Sequence, residues 1–496
     1  MNGPRLVKIL GITFVIALGA CGGGTGGNGG QNNSEPTTPT ISGINPSAIT
    51  SSSLPRTITV DGAGFQSGLT VTISTTSAST HPAPSQITST SFQITAVFGI
   101  GSYSISVSNP GGQPSSPFSF AVRTAAGIDF APPVNYPTGA TSSGPGAGSG
   151  SIVIADFNDD GKLDIAVSNY ASNTISVFLN KGDGAFSSPV VTTVNPGGAL
   201  GLGPIVAGDF NEDGKMDLIV STIAGEQSDI VLTGNGDGTF TQGAAIPNSF
   251  GFTTAKAIDL NGNKHLDLVG DGGSVSVALG NGDGTFSPTV YYSNGPFPDS
   301  YFGIDVGALT SNGKLDIVSA DPLSTPGGIF VFPGNGDGTF GTLSEQPMPA
   351  SGLFPSKPDS VALADFDTSG KLDLLIGDAT GTAAVASGNG DYTFNLSSET
   401  VVYSGNDLAN NGIYVYVADL DQDGKPDVLV LDYLNGVFAV VLNNASTISA
   451  GSKYSFTIAP GVGDLAVGDL NGDGMPDVAV VNDKTNQISV FLSQSQ

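Results

Sequence analysis

At 496 residues the chain is long enough for two to four domains of the usual ~100–200 residues, and its 39% hydrophobic content can fill their cores. Gly and Pro together make about 21% of the chain, short of the roughly 25–30% that marks low complexity, so disorder along the whole length is excluded. Charged residues reach only 12% and acids outnumber bases 43 to 15, for a net charge of −28, which argues against a nucleic-acid phosphate backbone as a partner.

The N-terminus carries the single cysteine, so no internal disulfide and no zinc site of several thiolates is available. Arg5 and Lys8 precede the unbroken apolar run 9–20, which is too short for the ~20 residues of a membrane span but suits the apolar core of a signal peptide. Leu18-Gly19-Ala20-Cys21 resembles a bacterial lipobox, which implies cleavage after residue 20 and lipidation of Cys21. Gly22, where retained inner-membrane lipoproteins carry Asp, directs the expectation to the bacterial cell envelope at the outer membrane or cell surface. Residues 21–38, rich in Gly, Asn and Thr and without periodicity, read as a flexible tether.

Residues 39–122 alternate apolar and polar side chains in short runs, as in Thr57–Val60, Val71–Ile73, Phe92–Thr95, Tyr103–Val107 and Phe118–Val122. Period two with Gly and Pro punctuation predicts half-buried antiparallel strands in a β-sandwich. The phrases PTISGINPS, TVDGAGF and GSYSISVSNPGG resemble the IPT/TIG family of immunoglobulin-like domains, which implies a spacer or interaction module. His81 lies among Thr80, Pro82 and Pro84 in a predicted loop and is expected to be solvated and idle.

From residue 127 the sequence repeats. The phrase D-x-[DN]-x-D-G-x-x-D starts at Asp156, Asp209, Asp419 and Asp469, with weaker copies at Asp259, Ala308 and Asp365. The seven starts are separated by 53, 50, 49, 57, 54 and 50 residues, one structural unit per repeat. Each unit reads as four strands, in the first repeat Ile152–Ala155, Leu163–Val167, Ile175–Leu179 and Phe186–Val190. The second hairpin carries GNGDGTF at Gly234, Gly280 and Gly334, whose Asn-Gly and Asp-Gly pairs supply the positive φ of tight turns. Seven four-stranded units predict an all-β, seven-bladed β-propeller. The last repeat lacks a fourth strand, and Phe130–Tyr136 look like the missing piece, so residues 127–137 are expected to close the ring. The region 127–496 resembles the FG-GAP/VCBS repeat family, whose best-known relative is the integrin α propeller.

The acidic loops suit a hard divalent cation. Calcium takes 6–8 oxygen ligands, and positions 1, 3, 5 and 9 with the carbonyl at 7 can supply five. The first set is Asp156, Asn158, Asp160, Lys162 and Asp164; the second is Asp209, Asn211, Asp213, Lys215 and Asp217. The others are Asp365, Asp367, Ser369, Lys371 and Asp373; Asp419, Asp421, Asp423, Lys425 and Asp427; and Asp469, Asn471, Asp473, Met475 and Asp477, with Lys or Met contributing its backbone carbonyl. A weaker set is Asp259, Asn261, Asn263 and Asp267, where Lys264 replaces the turn glycine; Ala308 removes the first ligand of the fourth loop, which is expected to be an empty hairpin. About five to six calcium sites result. This is not an EF-hand, because position 12 from Asp156 is Val167. Gly at position 6 is expected to turn the chain, and position 8 (Leu163, Met216, Leu372, Pro426) to point into the blade. Residues 127–496 hold 41 acids against 11 lysines, and 18 of those acids occupy ligand positions in six loops.

Catalysis finds little support. The propeller has no cysteine, its one histidine, His265, lies inside the third acidic loop, and no G-x-S-x-G occurs. The family resemblance implies that the acidic hairpins lie on one face and the other connections on the opposite one, and those other connections carry Tyr170, Phe250, Phe252, Tyr291, Tyr292, Phe297, Tyr301, Phe302, Phe354 and Tyr433. Such rings stack on sugars or anchor proteins, or pack over strand ends. The expectation is a non-enzymatic, calcium-stabilised, lipid-anchored propeller engaged, as the integrin resemblance implies, in adhesion or in recognition of an extracellular protein or glycan. It meets the membrane only through its anchor and binds no nucleic acid. The alternative is a polysaccharide-active or other hydrolytic enzyme working through paired carboxylates on the same scaffold.

Overall fold

Alternation in the N-terminal domain places one row of apolar side chains between two sheets. The computed structural model describes residues 38–494 apart from 46–48, 51–55, 76–78, 99–100, 124–127, 141–148, 198–200, 223–227, 293–301, 323–326, 350–356, 399, 406–412, 444–447 and 449–452. Cys21 and the tether through residue 37 lie outside the described residues. One sheet pairs Thr40–Asn45, Arg56–Ala63 and Ser91–Ala96; the other orders Ile49–Thr50, Phe118–Arg123, Gly101–Ser108, Thr70–Ser74 and Ser79–Thr80. Ile58, Val60, Phe92 and Ile94 from the first meet Val71, Ile73, Ile105 and Val107 from the second in one buried cluster. Phe65 packs edge-on against Phe92 at 5.0 Å. His81 is exposed just beyond Thr80, as the sequence implies.

Among the described residues the repeat region forms seven four-stranded antiparallel sheets; six have their strands in sequence order from the inside outward, and the seventh takes its outermost strand, Val134–Pro137, from before the first repeat. The inner strands are Ser149–Ala155, Leu202–Gly208, Thr254–Ile258, Phe302–Gly307, Pro358–Ala364, Ile413–Ala418 and Val462–Gly468. The inner strand of the first blade neighbours those of both the second and the seventh. Seven apolar clusters each span two adjacent blades, and the last joins Ile152, Ile165 and Phe178 of blade 1 to Ala479, Val481 and Ile488 of blade 7. Because both faces of every sheet are covered, second strands such as Asp164–Asn169 and Asp427–Asp432 are buried along their whole length, and the sequence there reads as a near-continuous apolar run.

A strand that precedes the first repeat completes the seventh blade. Val134–Pro137 pairs antiparallel with Gln487–Phe491, matching Asn135 to Ser489, and Phe130 bridges to Ser493. The Phe130 ring is buried among Phe438, Phe456 and Phe491 at 5.8, 5.0 and 6.3 Å. Polar staples add to this apolar lock. Asp464 on the seventh inner strand accepts from Ser151 Oγ and Ile152 N of blade 1, both at 3.0 Å, and from the Tyr416 hydroxyl of blade 6 at 3.1 Å. Asp305 joins blades 3 and 5 through Lys256 Nζ at 2.5 Å and Leu363 N at 2.8 Å.

One strand assignment needs correction. The fourth strand of the first blade is Val190–Thr193 rather than Phe186–Val190. Phe186 makes only an isolated bridge to Asn180. Pro189 cannot donate to the ladder, so pairing resumes after it.

Candidate metal loops and ligand face

Each acidic loop joins an inner strand to its neighbour and is wound by its own side chains. The position-1 carboxylate accepts from the position-6 N–H in six loops, at 2.8 Å to Gly161, 2.9 Å to Gly214, 2.8 Å to Lys264, 2.8 Å to Gly370, 2.9 Å to Gly424 and 2.9 Å to Gly474. Position 3 accepts from the N–H at 5, as in Asp367 to Ser369 at 2.9 Å and Asn471 to Asp473 at 2.8 Å. Position 5 accepts from the N–H at 7, as in Asp213 to Lys215 and Asp423 to Lys425, at 3.0 and 2.9 Å. This cascade turns positions 1, 3 and 5 toward one centre, and each carboxylate oxygen keeps a second lone pair for a cation.

The turn needs left-handed backbone twice. Position 6 has positive φ at every glycine and also at Lys264, with φ 74, so the third loop keeps the common path despite its substitution. Position 4 is the second such point, and there Asp159, Glu212, Thr368 and Gln422 adopt φ 55 to 58. Position 8 packs inward as expected: Leu163, Met216 and Leu372 lean on the interblade clusters.

Among the described residues two groups bring three carboxylates within 4.8 Å of one another, Asp365 with Asp367 and Asp373, and Asp419 with Asp421 and Asp423. In the loops at 156, 209 and 469 the third position is Asn158, Asn211 or Asn471, an amide oxygen in place of a carboxylate. Lys162 and Lys425, expected to offer only their carbonyls, also set their ammonium groups 2.8 and 3.7 Å from Asp160 and Asp423. His265 pairs with Glu212 of the preceding blade. The loop surface thereby links blades 2 and 3.

The ninth position does more than the sequence reading assigned to it. Its carboxylate is buried in all seven repeats and accepts two backbone N–H groups, one from position 2 and one from the far end of the third strand. Asp164 takes Phe157 N at 3.0 Å and Asn180 N at 2.8 Å; Asp477 takes Leu470 N at 2.8 Å and Ser493 N at 2.7 Å. Asp217, Asp267, Asp373 and Asp427 repeat the pattern. So does Asp316 in the fourth repeat, at 3.0 Å to Leu309 N and 2.8 Å to Gly334 N, although Ala308 has removed the first ligand. These aspartates therefore fasten the acidic loop to the second hairpin with or without a complete ligand set. Burial pushes Asp164, Asp217 and Asp477 up to about 6, against the pull of the donated N–H groups. The same contact explains the first glycine of GNGDGTF: a Cβ on Gly234, Gly280 or Gly334 would fall 2.2, 2.2 or 1.9 Å from the position-8 carbonyl oxygen.

The aromatic candidates divide. Tyr292 is half-buried, and its ring packs edge-on against Phe340 at 5.4 Å and Phe332 at 6.4 Å. Phe252 is core, 3% exposed. Tyr170 is half-buried beside Gly201, and half-buried Tyr433 lies with Lys484 Nζ 5.6 Å from its ring centre. Phe297, Tyr301 and Phe354 lie outside the described residues, as does the side chain of Phe302. Phe250 is 62% exposed and leans on Tyr291 at 5.5 Å. Two buried carboxyls stand beside this pair: Asp229 and Asp271 are each pushed up to about 7 by burial. The sequence reading passed over them, along with Asp305 and Asp464; an acid within or beside an otherwise apolar strand was the available signal.

Two family models match this chain. An IPT/TIG domain matches residues 39–122, the span predicted from alternation. Human integrin alpha-7 is 28% identical over 136 residues, covering 24% of this chain and 12% of the integrin; the rat protein is 27% identical over the same shares. Among solved structures, the chain matches BBS1N in complex with ARL6DN (TM-score 0.46, 11% identity, 73% of this chain and 96% of that one). An auxiliary nutrient binding protein from Bacteroides ovatus gives 0.40, with 9% identity over 92% and 99%. Bacillus licheniformis rhamnogalacturonan lyase gives 0.32, with 15% identity over 90% and 91%. At these TM-scores none of the three bears on fold or function. The FG-GAP-like repeat matches residues 156–220, 259–319, 309–376, 365–430 and 419–480. With more than half of the chain so matched, in phase with the acidic loops, the protein belongs to the FG-GAP-like repeat family.

Proposed function

We propose that this chain is a calcium-stiffened recognition protein, anchored through Cys21 to the bacterial cell envelope, whose propeller binds an extracellular protein or glycan without catalysis. The observation that carries the reading is the hydrogen-bonded winding of six loops, which turns carboxylate and amide oxygens toward one centre and in two loops gathers three carboxylates within 4.8 Å. Such all-oxygen donor sets suit a hard cation of calcium's size. Bound calcium would neutralise carboxylates that repel one another and add its binding free energy to folding. The stretch shared with integrin alpha-7 supports adhesion or recognition as the task. Thermal unfolding in calcium and in chelator tests the first half, with midpoints several degrees apart expected and identical midpoints refuting it.

A hydrolytic reading has one observation in its favour: Asp359, Asp464 and Asp483 are buried carboxylates outside the acidic loops. A screen on polysaccharides decides between the two: turnover abolished by Asp483→Asn would replace the binding reading, and ligand binding without turnover would remove the hydrolytic one.

A further inference from the structure

Among the described residues Phe250 is the most exposed large hydrophobic side chain, and it stands on a loop built to hold it still. The loop 246–253 connects blades 2 and 3 on the face opposite the acidic hairpins. Ile246 N donates to Asp229 O at 2.8 Å, and the Ser249 hydroxyl accepts from Asp229 N at 2.8 Å while donating to Ile246 O at 3.0 Å. At the other end the Thr253 hydroxyl donates to Asp271 Oδ1 at 2.6 Å, and Phe252 sinks into the cluster between the two blades. Tyr291, from the outer strand of blade 3, donates its hydroxyl to Asn248 O at 2.7 Å, and its ring meets Phe250 at 5.5 Å with an interplanar angle of 49°. Burial beside Asp229 pushes the Tyr291 phenol up to about 12, which keeps it a donor at any ordinary pH. Neither end of this clamp involves an acidic-loop residue.

We propose that Phe250 and Tyr291 form a stacking subsite for one neutral pyranose ring of a glycan. The inference rests on the recognition reading and names its ligand class. Size favours a sugar over a protein: two aromatic side chains bury at most ~150–250 Å² each, and Tyr291 is already partly covered, far below the ~800 Å² per partner of a specific protein interface. Charge points the same way. Residues 246–253 contain no ionisable side chain, and the two carboxyl residues bonded to this loop, Asp229 and Asp271, are 5% and 0% exposed. Pre-ordering matters because a ring held in place loses little entropy when a ligand covers it.

The test is an array of neutral gluco-, manno-, xylo- and galacto-oligosaccharides probed with the full chain in calcium, followed by calorimetric titration of the best binder. Phe250→Ala should weaken that binding at least ten-fold with an unchanged melting midpoint, and Phe250→Trp should restore it. Wild-type affinity in Phe250→Ala would overturn the subsite while leaving glycan recognition standing. Failure to bind any neutral oligosaccharide, or binding of acidic glycans alone, would also overturn it; a protein ligand captured in the same conditions would show that recognition itself survives.

Discussion

The ninth-position aspartate separates two roles that the motif confounds, and the fourth repeat is where they come apart. Asp316 keeps both backbone hydrogen bonds, to Leu309 N and Gly334 N, but stands in a loop whose first ligand position is Ala308. Asp316→Ala leaves two buried N–H groups without acceptors at ~1–3 kcal/mol each, and relief of the buried charge returns part of that, for a net loss of about 3 kcal/mol. If residues 127–496 unfold as one unit at ~2 cal/mol/K per residue, the melting midpoint falls by about 4 °C. The assay is thermal unfolding followed by circular dichroism, in calcium and in chelator. The staple predicts the same fall in both. Asp164→Ala should match it in chelator and lose more in calcium, because there the ligand role is lost as well. A fall below about 1 °C for Asp316→Ala, or one seen only with calcium, would refute the staple.

Three further outcomes follow from the geometry. Lys264 holds φ 74 where the other loops have glycine, so Lys264→Gly should stabilise the protein by about 1 kcal/mol; an unchanged or lower denaturant midpoint would contradict the assignment of strain there. Phe130→Ala removes a buried ring that joins the closing segment to Phe438, Phe456 and Phe491 and should cost about 3–5 kcal/mol; a loss under 1 kcal/mol would show that this segment does not lock the ring. Asp229 and Asp271 titrate near 7 in the folded chain against ~3.9 unfolded. Between those values the folded state binds more protons, so their contribution falls as pH rises and is lost above 7. The chelated protein should therefore melt higher at pH 5 than at pH 8, and Asp229→Asn should flatten that dependence; an unaltered slope would exclude Asp229 as a contributor.

The sandwich, the repeat period, the closing strand and the acidic loops were legible in the chain because each rests on local rules: alternation, turn residues and fixed spacing within nine positions. The boundary of the fourth strand was misplaced by a local rule overlooked, the missing donor of Pro189. Other features depend on residues far apart in sequence. The second partner of each ninth-position aspartate lies on another strand, as Asn180 does for Asp164, and no spacing within the motif announces it. Asp464 reaches blade 1 across more than three hundred positions. Phe250 and Phe252 differ by two residues and look alike as text, yet one faces solvent and the other fills the core between blades. Composition placed the acids in the repeats. Only the packing of blade against blade decided which of them hold the backbone and which ring stays exposed.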